Sequence, residues 1–399
     1  MLRLCSVFEA PKASLARSRT FDVVGGMQVH TARLTAALDD LGIDQTVISA
    51  FRPGAPRSER IGRRATVVRV GLPTRSLRQL YGVASIPEIL RPGRPDVVHA
   101  HVGEDLAIAP LARWAAARAG APIVVTVHCS LRNTVVPHDL RSAIFRAVGG
   151  PIQDRLLRAA GMVLVLTQPT AELLAGAGVP PERIRVVPLG IDLDASDRAP
   201  RPAVMDHRPW VVYAGRLVRE KGVRDLVEAI GRLPGVGLLV VGDGPDRPAL
   251  EEAAARFGMA DRIRFVGAVG NADVQPFLRH ADVVVLPSWF EERGRVLVEA
   301  MAAGTAVIAA RSAGAPETVR DGVDGLVVPP RAPEALAAAI ERLLADERLA
   351  ATLSAGGRTT AATQPLSALT SETLDAYRTV LAERGPDPAL VVRSGVTAP

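Results

Sequence analysis

Short, unbroken apolar runs alternate with amphipathic stretches through the second half of the chain. That alternation constrains the fold more than any other feature of the sequence. The runs are WVVYAG (210–215), GLLVVG (237–242), RIRFVG (262–267), DVVVLP (282–287), TAVIAA (305–310) and GLVVP (325–329). Helical patterns fill 223–233, 246–257, 273–280, 294–303 and 333–345. A strand apolar along its whole length is buried on both faces, as in a parallel sheet covered by helices. Strand–helix alternation therefore predicts βαβ units and a doubly wound α/β sheet. Right-handed crossovers would gather the loops after the strands on one edge, where ligands bind.

The first half reads the same way, less cleanly. Strands are expected at 2–7, 45–50, 66–70, 96–100, 122–127, 161–166 and 184–188, and helices near 28–41, 76–89, 106–119, 138–159 and 169–177. The 399 residues exceed what one core of ~250–300 residues holds. Two Rossmann-like domains facing across a cleft are expected, 1–191 and 210–365. The Pro-, Arg- and Asp-rich segment 192–209 would link them. The pattern 366–385 is expected as a final helix, with the option of crossing back to the first domain, and 386–399 as a flexible tail.

Composition narrows the function classes. The net charge of +6 comes with 48 basic residues, of which only Lys12 and Lys221 are lysines. Arginine used this uniformly reads as compositional bias, so nucleic acid is not an expected partner. It makes Lys221 conspicuous, since lysine is a compact point charge where arginine is a fork. Two cysteines cannot build a disulfide framework or a cysteine zinc site. The opening MLRLCSVFEAPKASLARSR lacks the apolar run of a signal peptide, and no uncharged stretch reaches the ~18 residues of a spanning helix. A cytoplasmic location is the expectation. The oligomeric state stays open.

Three constellations carry chemistry. Gly25 and Gly26 end a long loop and open a helix, where backbone N–H groups can approach a phosphate. Arg216 follows the first strand of the second half and Lys221 opens the next helix, two cations suited to a diphosphate leaving group. Glu291 and Glu299 lie eight positions apart, a little over two helical turns, so both carboxylates can share one face. The free N–H groups near Arg293, Gly294 and Arg295 point at the same space. Glu299 sits among apolar helix residues and needs donors such as sugar hydroxyls.

The ordered string GRLVREKG (215–222), VVGDGP (240–245), PSWFEERGRVLVEAMAAGTAVIA (287–309) and GAPETVRDGVDGLVVPP (314–330) resembles the retaining glycosyltransferases of family 4, with the GT-B fold. VVGGMQVHTARLTAAL (23–38), VVHAH (97–101), TVHCS (126–130) and VVPLGID (186–192) extend the resemblance over residues 1–385. It implies that Glu291 contacts hydroxyls of the transferred sugar and Glu299 the nucleotide ribose. It implies that Arg216 and Lys221 hold the diphosphate, that Gly25-Gly26 faces it, and that His128 lies beside the sugar. Catalysis is then expected from His128, Arg216, Lys221 and Glu291, on a nucleotide-sugar substrate, UDP-linked first among the choices. No cofactor and no metal are expected.

The family usually writes E-G-F-G where this chain has Glu291-Glu292-Arg293-Gly294, which leaves the sugar unassigned. Asp192-Leu193-Asp194 spells the metal motif of another fold but follows a strand at a domain edge. Cys129 lacks an orienting partner for a nucleophile. On the acceptor side, His101 either touches substrate or is a satisfied structural imidazole. Glu104 and Asp105 either pair with a cationic acceptor or solvate and cap a helix. The expected acceptor is a small hydrophilic molecule such as an aminocyclitol, in antibiotic biosynthesis of the aminoglycoside kind. The alternative is a lipid or inositol-phosphate acceptor, with membrane contact through the eight arginines of 52–78. A nucleotide-sugar epimerase and a non-catalytic sugar-binding protein are the readings from other classes.

Overall fold

The computed structural model describes residues 1–6, 8, 26–51, 55–72, 80–91, 93–103, 105–134, 140–193, 200–206, 208–291, 293–312 and 318–384. Gly25, Glu104, Asp194, the tail 386–399 and the two ends of the arginine segment, 52–54 and 73–78, lie outside them.

The first sheet contains β1 (Leu2–Cys5), β2 (Gln45–Ala50), β3 (Ser58–Ile61), β4 (Ala65–Val70), β5 (Val98–Val102), β6 (Ile123–Val127), β7 (Met162–Val165) and β8 (Ile184–Val186). Their order is β3-β4-β2-β1-β5-β6-β7-β8. All pair in parallel except β3 with β4. The second sheet contains β9 (Trp210–Ala214), β10 (Gly237–Val241), β11 (Ile263–Gly267), β12 (Val283–Leu286), β13 (Ala306–Ala310) and β14 (Leu326–Val328), all parallel, in the order β11-β10-β9-β12-β13-β14. These are two doubly wound sheets. In each the order reverses beside the first strand, between β1 and β5 and between β9 and β12, and a ligand crevice opens at such a switch point.

The central strands are apolar because nothing but other side chains surrounds them. Val211, Val212, Val240, Val285 and Ile308 are fully buried in one core, and Val98, Val125 and Val163 in the other. Each such side chain stabilises the fold by about 1.5–3 kcal/mol relative to exposure.

The elements that escaped the sequence reading include a strand and a long helix. The strand β3, SERI, alternates exposed and half-buried residues at the sheet edge, so it shows no apolar run. Its turn back to β4 is held by Asp39, which accepts from the amides of Arg63, Arg64 and Ala65. The helix Glu347–Ala362 is broken in sequence by Gly356 and Gly357. Close packing demands them: a Cβ at Gly356 would sit 2.1 Å from the Val323 carbonyl oxygen.

The chain passes between the two sheets twice, side by side. Ile191 donates to Gln364 O at 2.7 Å and Leu366 donates to Ile191 O at 2.9 Å. The last helix, Leu366–Ala382, then returns to the first sheet. Leu369, Ala376, Tyr377 and Val380 pack on Leu34, Leu38, Val97, Val124 and Leu164. No helix among the described residues is long and apolar enough to cross a membrane.

Candidate active site

The chemistry-bearing loops flank the switch point of the second sheet. After β9 the chain runs through Gly215 and Arg216 into a tight turn, Arg219–Lys221. After β12 it runs through Ser288 and Trp289 to Glu291. Gly222 brings the two loops together. Its φ of 64° is left-handed, and a Cβ there would lie 2.2 Å from the Pro287 carbonyl oxygen. Trp289 stitches the contact, its amide donating to Glu220 O at 2.9 Å and its indole N–H to Asp225 at 2.6 Å. Lys221 thereby reaches Glu291, Nζ to Oε2 at 2.7 Å.

Burial pushes the Glu291 carboxyl up, but Lys221, the Gly294 amide and Arg216 outweigh it and hold the group below its usual value. It is a carboxylate near neutral pH. The guanidinium of Arg216 makes no hydrogen bond or ion pair among the described residues, while its carbonyl accepts from the Tyr213 hydroxyl at 2.7 Å.

Gly294, at φ 56°, starts the helix Arg295–Ala303, and Glu299 is buried one turn inside it. Arg295 Nε donates to Glu299 Oε1 at 3.0 Å. Arg33, from the helix Gly26–Asp40 of the other lobe, lies 3.9 Å from the same oxygen. Gly26, Arg216, Lys221, Glu291, Gly294 and Glu299 share the wall of one cavity of about 190 Å³. A residue from the first lobe and residues from the second thus meet around one space.

The side chains of two arginines in this turn bind elsewhere in the chain, while the expectation for the turn concerned its backbone N–H groups. The side chain of Arg293 donates to Gln364 Oε1 at 3.0 Å beside the interlobe crossing, and it is not part of the cavity wall. Arg295 lines the cavity, yet its terminal nitrogens donate to Leu189 O and Gly190 O at 2.9 and 3.0 Å.

On the first lobe, the His128 amide donates to Val102 O at 2.9 Å, which extends the β5–β6 ladder and sets where the ring leaves the sheet. His101 is a buried member of β5 that contacts His128 and Arg3. Of the two readings of Asp105, the structure shows helix capping and not an acceptor contact. Its Oδ1 accepts from the amides of Ala107 and Ile108 and from the Tyr81 hydroxyl, so it caps the helix Ile108–Ala119 and anchors the fold. Burial, with the charges of Arg3 and Arg295, holds the His128 imidazole down at about 3. Burial first, then neighbouring positive charge, keeps His30, His99 and His101 well below the usual imidazole range as well.

Sequence reading missed Arg33, His30 and Arg3. Only Arg33 left a signal: it lies seven positions after Gly26, two turns along one helix face.

The family model described as Glycosyltransferase Family 4 matches residues 24–195, and that described as Glycosyl transferases group 1 matches 208–346. The 2-deoxystreptamine glucosyltransferase of Streptomyces kanamyceticus is 33% identical over 347 residues, covering 80% of this chain and 90% of the relative. A D-inositol 3-phosphate glycosyltransferase of Mycobacteroides abscessus is 31% identical over 370 residues, 86% and 82% of the two chains. Among solved structures, the sucrose-phosphate synthase of Thermosynechococcus elongatus superposes with a TM-score of 0.78 at 25% identity, over 96% of this chain and 99% of that one.

Proposed function

The chain belongs to glycosyltransferase family 4, with the GT-B fold, and on that premise we propose that it is a retaining hexosyltransferase acting from a nucleotide-sugar donor, a UDP-sugar first among them, on a small hydrophilic aminocyclitol. The observation that carries this reading is the shared wall of Arg216, Lys221, Glu291 and Glu299, with Gly26 facing them from the other lobe.

Arg216 and Lys221 bind the diphosphate, whose negative charge grows as the sugar departs, and so stabilise the transition state more than the bound donor. They supply the charge a divalent metal would otherwise give, so the reaction needs no metal and no cofactor. Glu291, kept ionised by Lys221, accepts from the hydroxyls of the transferred sugar. Glu299 accepts from the ribose hydroxyls. Gly26 and the backbone of Arg293 and Arg295 provide N–H groups, with Gly25 next to Gly26 in sequence as the second glycine of the pair, while the Gly294 amide is held by Glu291. His128 lies beside the sugar, and His101 supports it.

The acceptor hydroxyl attacks the anomeric carbon from the face the diphosphate leaves. The bond from that carbon to the phosphate oxygen breaks, the new C–O bond forms, and the acceptor proton passes to the leaving oxygen. The α configuration is kept. The aminocyclitol reading is supported by the similarity to a 2-deoxystreptamine transferase. The inositol-phosphate reading is supported by the second relative.

Incubation with UDP-glucose or UDP-N-acetylglucosamine and either 2-deoxystreptamine or inositol phosphate tests both, in EDTA and with and without anionic vesicles. Mass spectrometry identifies the conjugate and the anomeric coupling its configuration. A β product, or activity only after Mg²⁺ or Mn²⁺ is restored, would defeat the mechanism. Transfer to inositol phosphate alone would exchange the acceptor.

A further inference from the structure

A chain of side chains runs from the middle of the first sheet to His128, just past the end of β6. Arg3 on β1 is wholly buried. Its Nη1 donates to Thr35 Oγ1 and, at 3.3 Å, to Gln45 Oε1, while its Nη2 lies 2.7 Å from His101 Nε2. His101 Nδ1 lies 3.2 Å from His128 Nε2. A buried guanidinium on a central strand is costly unless its position serves something.

We propose that Arg3 and His101 are positioning residues that fix His128 as a neutral imidazole carrying its proton on Nδ1. Donor and acceptor capacity decides the tautomers. Arginine has only donors, so His101 Nε2 must accept and its proton sits on Nδ1. That N–H donates to His128, so His128 Nε2 must accept in turn. The remaining His128 proton belongs to Nδ1. Protonating either ring on its second nitrogen would set two N–H groups against each other. His30 fixes the ring plane: it meets His128 edge to face at 4.8 Å between centroids. Both His30 ring nitrogens are buried without a hydrogen-bond partner among the described residues, so a charge there would be uncompensated.

The same three histidines have the look of a metal site, with ligand atoms within 4.8 Å of one another. Arg3 decides against it. A metal bound at His101 Nδ1 would leave a proton on Nε2, facing another donor, whereas a ligating histidine gives that proton to an acceptor. Resting on the reading of His128 beside the donor sugar, the chain makes His128 a hydrogen-bond donor through Nδ1 to a sugar oxygen, with no role as proton acceptor at Nε2.

The test is a long-range ¹H–¹⁵N correlation spectrum of the full chain with its seven histidines ¹⁵N-labelled, at pH 7, assigned with single His→Asn variants. His101 and His128 are both expected with Nδ1 protonated and Nε2 bare, the form free histidine disfavours. Nε2–H on either ring, or a doubly protonated His128, would overturn the proposal. Arg3→Met should release the tautomer of both rings and lower kcat about tenfold or more with donor KM little changed. Arg3→Lys, which still only donates, should retain the tautomers. If Arg3→Met does not fold, the spectrum of the unmodified chain still decides. Zinc alone is then added, and shifts in the signals of all three histidines would replace the proposal with a metal site. Should the tautomers stand while His128→Ala leaves turnover untouched, the positioning chain survives and the placement of His128 beside the sugar fails.

Discussion

Arg295 and Glu299 lie one helical turn apart, and the side chain of the first holds that of the second at 3.0 Å while also gripping the carbonyls of Leu189 and Gly190. The carboxylate assigned to the ribose is therefore tied to the point where the lobes join. Glu299→Ala is expected to weaken free nucleotide and nucleotide sugar by the same factor. Losing hydrogen bonds to a charged group costs ~1.5–3 kcal/mol, roughly 10- to 150-fold. Calorimetry with UDP and with the UDP-sugar reads this directly, and a loss confined to the sugar conjugate would reverse the assignment.

Glu291→Ala should do the opposite, sparing UDP and weakening the nucleotide sugar. Its partner across the 2.7 Å ion pair is Lys221, so the variant also frees that cation. UDP binding unchanged or tighter, with weaker binding of UDP-sugar, is the expected calorimetric signature. Equal loss of both ligands would contradict it.

Arg216→Ala and Lys221→Ala should each lower kcat by about 10²–10³, the cost of removing one preorganised donor at a developing charge. Donor KM should move much less. Lys221→Arg should be impaired too, since the planar fork does not replace an ammonium in contact with Glu291. Near-normal turnover in either alanine variant would remove that residue from the mechanism.

Gly222→Ala tests how the loops are joined. The left-handed backbone alone costs ~1–2 kcal/mol, and the new Cβ would press on the Pro287 carbonyl. A lower melting midpoint together with a fall in kcat is expected, because Lys221 would be displaced from Glu291. A stable, fully active variant would show that this approach is not needed.

Stability should fall on mild acidification. His30, His99 and His101 are buried and kept neutral far below 6.5, the value at which they titrate when unfolded. His128 is held at about 3. Below pH 6.5 the unfolded chain takes up protons that the native state refuses, so stability drops as pH falls through that window. Each fully buried ring contributes about 1.4 kcal/mol per pH unit. The ionised Glu291 cannot account for a loss above pH 5, since its carboxyl titrates below its usual value of 4.5. Urea midpoints at pH 7.5 and 5.5 should differ clearly; a flat response would mean that these imidazoles are solvated.

The sequence exposes what depends on local order. The apolar runs announce parallel strands, and the positions of Arg216, Lys221, Glu291 and Glu299 relative to strand ends bring them to one cavity wall. What it hides depends on distant partners. Nothing local tells that the Arg293 side chain binds Gln364, and of the two readings the sequence left open for Asp105 only its bonds to the amides of Ala107 and Ile108 decide. The array of Arg3, His30, His101 and His128 joins four separate elements, so no spacing rule could assemble it.

Because the chain leaves the first lobe at Ile191 and rejoins it beside Pro365, the second lobe is topologically an insertion. Recombination between relatives must follow that plan. A chimera cut once, near residue 191, would carry a foreign last helix onto Leu34, Leu38 and Val124 and break the Tyr377 contact with His99, 2.7 Å from oxygen to Nδ1. A chimera cut twice, near 191 and 365, keeps the last helix with the surface it evolved to cover. Exchange of donor lobes is thus a two-junction operation, and acceptor preference should travel with the first lobe and the last helix as one heritable unit.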